Sequence, residues 1–135
     1  MRFLVVLLLL VAFADHGLAY LGNDDEAIDA MYGDIVKRHL RDDGTVGVLY
    51  HNKKYYCFVV FKDLHTISEA YARGNGSKLS DKEIAGFLKA NAGKSHWPAT
   101  TLSTEGKMER ADHKAEASFT EIEGRVMLQV TSKGK

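Results

Sequence analysis

The chain has 135 residues, with 18 basic and 18 acidic side chains in formal balance. Neutrality argues against a nucleic-acid partner, which requires a basic face, and it leaves no polybasic stretch for an anionic membrane. A single cysteine excludes an internal disulfide framework, so a domain of this size must stand on its hydrophobic core.

Residues 1–19 read as a signal peptide. Arg2 supplies a positive start, and the apolar run from Leu4 to Ala14 is shorter than a bilayer-spanning helix requires. Gly17-Leu18-Ala19 then places small residues at −3 and −1 of a cleavage site. The mature chain is expected to start near Tyr20 and to form a single α+β domain over residues 20–135. The expected location is outside the cytoplasm, periplasmic or secreted, with no transmembrane segment once the signal is removed.

The first expected element is a short N-terminal helix. Asn23 caps it, Glu26 follows at the capping-box spacing, and Gly33 stops it. Ile35 to Leu40 is a weak strand, and Arg41-Asp42-Asp43-Gly44 is a turn. In the strand Thr45 to Tyr50, Val46, Val48 and Tyr50 share one face. Tyr55 to Phe61 is rich in β-formers and reads as a central strand buried on both faces. Cys57 lies inside it and is expected to be an inert core thiol. After a turn at residues 62–65, Thr66 to Ala72 puts Ile67, Glu69 and Tyr71 on one face. Short links make an antiparallel meander sheet the simplest assembly.

The stretch "KLSDKEIAGFLKANAGKSHW", residues 78–97, writes a helix with both ends marked. Ser80 and Glu83 form a capping box, and Leu79 can staple to Ile84. Ile84, Phe87 and Leu88 give the apolar face of one capped helix packed on the sheet, Ala90 and Ala92 continue it, and Gly93 ends it. Residues 94–107 read as loop. A C-terminal β-hairpin follows, in which Ala115, Ala117 and Phe119 and then Val126, Leu128 and Val130 alternate with polar residues about a Glu123-Gly124 turn.

Catalytic patterns are missing. No Gly-x-Ser-x-Gly or Walker lysine loop occurs, and the histidines show no zinc-type spacing. No catalytic residue, metal site or cofactor is expected. Asn75-Gly76-Ser77 matches the N-glycosylation acceptor and equally serves as a turn before the helix. Trp97-Pro98 either folds back over the core or presents a contact surface. If it is a surface, the candidate binding residues are Trp97, His96, Tyr55 and Tyr50.

Residues 22–72 resemble the SmpA/OmlA-type outer-membrane assembly lipoproteins and the related β-lactamase-inhibitor-like domains. The resemblance rests on "GNDDEAIDAMYG", a capped acidic helix ending in Tyr-Gly, then on the aromatic strand of "GVLYHNKKYYCFVVFKDLHTISEA" with its Phe61-Lys62-Asp63 end. It implies an exported, non-catalytic binding or assembly domain and transfers no individual functional residue. The expected function is therefore that of a protein-binding or envelope-assembly module with a protein partner. The alternative is a small ligand carrier or enzyme whose pocket gathers His39, His65, His96 and Glu69.

Overall fold

The computed structural model describes residues 28, 32–52, 54–100 and 102–133. The expected signal peptide lies outside the described residues. So does the expected N-terminal helix, apart from Ile28, Tyr32 and Gly33. Ile28 and Tyr32 are helical and buried, and Gly33 takes φ +84°, the left-handed conformation of a helix stop.

Seven strands follow: β1 (Asp34–Leu40), β2 (Val46–His51), β3 (Tyr55–Lys62), β4 (His65–Arg73), β5 (Lys107–Glu109), β6 (Ala115–Ile122) and β7 (Arg125–Ser132). The helix α1 (Asp81–Ala90) stands between β4 and β5. All strands join one antiparallel sheet in the order β1-β2-β3-β4-β7-β6-β5.

This arrangement corrects the expected α+β class. Strand accounts for 49% of the described residues and helix for 12%. The C-terminal hairpin is not a separate unit. β7 pairs with β4 from Ser68↔Thr131 to Tyr71↔Leu128, and the meander and the hairpin become one surface. β4 buries both its faces, Glu69 and Tyr71 on one and Ala70 and Ala72 on the other. Such a strand needs a neighbour on each side to satisfy its backbone groups. The 94–107 loop also ends sooner than expected, because Lys107 to Glu109 pairs with β6 as a short edge strand.

Local chemistry sets the turns. Asp63 and Leu64, both at positive φ, connect β3 to β4 in a two-residue turn, and Glu123 and Gly124 do the same for β6 and β7. That conformation matches the twist of paired strands. Asp43 Oδ1 accepts from the Thr45 backbone N–H and hydroxyl, and so orders the β1–β2 turn.

The main core lies on the face covered by α1 and Tyr32. It gathers Val48, Tyr50, Cys57, Val59, Tyr71, Leu128 and Val130 from the sheet, with Ile84 and Leu88 from the helix. Burial pushes the Cys57 thiol far up, and Glu69 raises it further, which leaves an unreactive core thiol. The opposite face carries a smaller cluster of Ala70, Ala72 and Met127 under Tyr56, Phe58 and Ile122. The Phe58 ring lies over Gly47, where an added Cβ would meet it at 2.8 Å.

The sheet curls toward that second face. Lys37 of β1 meets Glu123 of the β6–β7 turn at 3.1 Å. In a flat sheet, with strands about 4.8 Å apart, the two backbones would be separated by roughly 20 Å.

Candidate functional site

Ser80 stops the preceding chain in an extended conformation and turns its hydroxyl to the Glu83 N–H. The Glu83 carboxylate returns to the Ser80 N–H at 2.9 Å, completing the expected capping box. The same carboxylate accepts from Arg73 on β4 and from the Tyr55 hydroxyl on β3. One acidic side chain thus starts α1 and fastens it to two strands. Its acidity follows: Arg73 first, then the Ser80 N–H and Tyr55, pull the Glu83 carboxyl down to about 2. Tyr55 also sets its ring edge-on to Phe87, with centroids 5.2 Å apart.

The helix ends before Gly93. Asn91 is its C-cap, and its side-chain amide donates to the Phe87 carbonyl and to the Tyr71 hydroxyl. Arg110 donates to the Asn91 carbonyl and Ala111 N–H to the His96 carbonyl, each at 2.8 Å. These bonds hold residues 91–97 against the end of β5.

A groove of about 570 Å³ results between α1 and residues 95–102. Its walls are apolar: Ile84, Ala85 and Leu88 from the helix, and Trp97, Pro98 and Leu102 from the segment. Asp81, Lys89, Ser95 and His96 supply polar groups around it. Past Leu102 a second cavity of about 660 Å³ shares Asp81, Ile84 and Leu102 with the first and reaches Leu79, Phe119 and the exposed Val126. Trp97 is half-buried and packs on the main core, and its indole N–H is buried with no acceptor among the described residues.

Of the four residues singled out from the sequence, the structure brings Trp97 and His96 together on this groove, with His96 exposed. Tyr55 is half-buried and lines a different cavity with Lys54, Arg73, Asn75 and Glu83. Tyr50 is 0% exposed, inside the core beside Tyr32, and offers no surface. The alternative pocket does not assemble. The groove takes in His96 but not His39, His65 or Glu69; His39 and His65 are exposed on the sheet, and Glu69 is fully buried. Among the described residues no three His, Cys, Asp or Glu side chains converge. Asn75 occupies an exposed turn, where its side chain accepts from the Ser77 N–H and hydroxyl.

The sequence reading missed Ala85 and Lys89, and it placed Ala92 on the core face and not at the groove. They stand at i, i+4 and i+7 beside the core stripe of Ile84 and Leu88, and two small apolar residues at that spacing were the available signal. It also missed Leu102, which joins Ile84 in the main core and in the walls of both cavities.

Fold and groove together define a curled seven-stranded antiparallel sheet with α1 on one face. Comparison with protein-family models and with curated proteins finds no match. Among solved structures, the chain is similar to a cysteine-rich secretory protein from Staphylococcus aureus subsp. aureus Mu50, with a TM-score of 0.54 and 14% identity. The similarity covers 84% of this chain and 45% of that one, so this chain spans less than half of its neighbour's length. At that identity the likeness is one of fold alone. No helix among the described residues is long and apolar enough to cross a membrane.

Proposed function

We propose that this chain is an exported, non-catalytic binding module, working in the periplasm or the medium, that holds a partner protein in the groove between α1 and residues 95–102. The observation that carries this reading is the groove itself. It is an apolar trough walled by Trp97 and Pro98, with polar groups at its margin and exposed lips at Ala85, Lys89 and His96. A trough of this kind seats apolar side chains of a partner segment, with a buried aromatic as the energetic centre. The signal-peptide pattern of residues 1–19 and the resemblance of residues 22–72 to envelope-assembly lipoproteins support the address.

The test is affinity capture from envelope and medium fractions, followed by titration of the purified partner against the wild type, Trp97→Ala and Ala85→Glu. The expected result is one partner whose binding weakens at least tenfold in both variants while their unfolding transitions stay cooperative. Equal binding by both folded variants would overturn the placement of the site. Turnover or stoichiometric binding of a small molecule, with no protein captured, would overturn the function.

A further inference from the structure

Glu69 lies in the middle of β4, 0% exposed, between Val59 of β3 and Val130 of β7. The polar and titratable groups that face it come from four places. Tyr71 donates its hydroxyl to Glu69 Oε2 from the same strand, and Tyr32 does so at 3.0 Å from the N-terminal side. Cys57 of β3 presents a thiol, and Asn91 an amide from the end of α1. β7 contributes Leu128 and Val130. Among the described residues no cation is one of these groups. The Arg110 guanidinium meets the Asn91 backbone carbonyl instead, and its Nε pairs with Asp112.

An ionised carboxylate in such a place costs several kcal/mol unless a cation repays the lost hydration. The hydrogen bonds are also uneven. Both phenols donate to Oε2, while Glu69 Oε1 and Asn91 Oδ1 are buried acceptors with no donor among the described residues. A proton on Oε1 is the donor this array lacks.

We infer that Glu69 is carried in the fold as the neutral acid, and that loss of its proton leaves a buried charge which only water entering beside Tyr32 and Asn91 can hydrate, so that the seat of Tyr32 and of the end of α1 on the sheet responds to pH. Burial pushes the Glu69 carboxyl up to about 7, and the bonds from Tyr71 and Tyr32, with the Asn91 amide nearby, offset only part of that rise. Burial first, then the neighbouring acidic groups, drive the Tyr71 and Tyr32 hydroxyls well above their usual value, so both remain donors across the neutral range. The raised carboxyl fixes the sign. Its contribution to stability is complete below the unfolded value of 4.5 and is lost as the pH rises through the folded value near 7.

The experiment uses the full chain, in the wild type, Glu69→Gln and Tyr32→Phe. Infrared spectroscopy at mildly acid pH is expected to show the carbonyl stretch of a buried carboxylic acid that Glu69→Gln lacks and that fades through neutrality. Relative to Glu69→Gln, the wild-type folding constant should fall by roughly two orders of magnitude from pH 4 to pH 9. Hydrogen-exchange protection at Tyr32 and Asn91 should fall further than at Val59. Tyr32→Phe, which deletes one bond to the carboxylate, should move the fading of the band to higher pH, and it keeps the test open if Glu69→Gln does not fold. A carboxylate signal alone at mildly acid pH, a band unchanged to pH 9, or a Tyr32→Phe midpoint equal to the wild type would overturn the inference.

Discussion

Arg73 and Glu83 meet where β4 faces the first turn of α1, with the guanidinium Nε and Nη2 both on Glu83 Oε1 at 2.9 and 2.5 Å. The two side chains are 34% and 19% exposed, dry enough for the pair to count. The same carboxylate takes the Ser80 N–H and the Tyr55 hydroxyl.

Unequal losses are therefore expected from the two halves of the capping box. Ser80→Ala removes one bond to the Glu83 N–H and should lower stability by about 1 kcal/mol. Glu83→Ala removes the returning bond and the acceptor of the Tyr55 hydroxyl and of Arg73 Nε and Nη2, so about 2–3 kcal/mol is expected. Urea unfolding of both variants checks this. Equal losses would mean that Glu83 acts as a cap and not as a fastening.

Acid should detach α1 before it unfolds the sheet. Glu83 has a lowered carboxyl, so its contribution is complete above the unfolded value of 4.5 and is lost as the pH falls toward about 2. Far-ultraviolet circular dichroism between pH 5 and pH 2 should show early helix loss in the wild type. In Glu83→Gln that acid step should be absent, from a lower starting stability.

The curl of the sheet is held by packing and not by the ion pair that reveals it. Lys37 and Glu123 are 59% and 40% exposed, and such pairs contribute about 0–1 kcal/mol. Met127, 1% exposed, lies in the small cluster on the inner side of the curl. Lys37→Ala should therefore shift the unfolding midpoint little, whereas Met127→Ala should lose about 2–4 kcal/mol. A larger loss from Lys37→Ala than from Met127→Ala would contradict this.

A single glycine should stabilise the β3–β4 turn. Leu64 holds φ +67° and is 67% exposed, so it bears the strain of a left-handed leucine without burying its side chain. Leu64→Gly is expected to raise stability by about 0.5–1 kcal/mol, read by thermal unfolding at fixed pH.

Local rules carried the sequence reading as far as they reach. Ser80 with Glu83 specified the start of α1, the alternation around Glu123-Gly124 specified a two-residue turn, and the apolar density of Tyr55 to Phe61 specified a central strand, because each depends on residues within a few positions. Tyr50 shows where local reading fails. It sits near a turn and looks presentable, yet its side chain falls on the face that α1 and Tyr32 cover, and only the sheet's register decides that. The end of α1 misled for a similar reason. Gly93 was the visible stop, but Asn91 ends the helix because its amide reaches Tyr71, 20 residues earlier.

By itself the sequence determined every strand segment but β5, the helix start, the turn chemistry and the pairing of Trp97 with His96, all written in short-range patterns of polarity and backbone preference. Tertiary structure alone decided that β4 pairs with β7 and that the sheet curls until Lys37 meets Glu123. It also decided that α1 and residues 95–102 enclose a groove and that Glu69 is sealed among Tyr32, Tyr71 and Asn91. These contacts join residues far apart in the chain, and no periodicity encodes them. They are selected when every strand edge and apolar face must be satisfied at once.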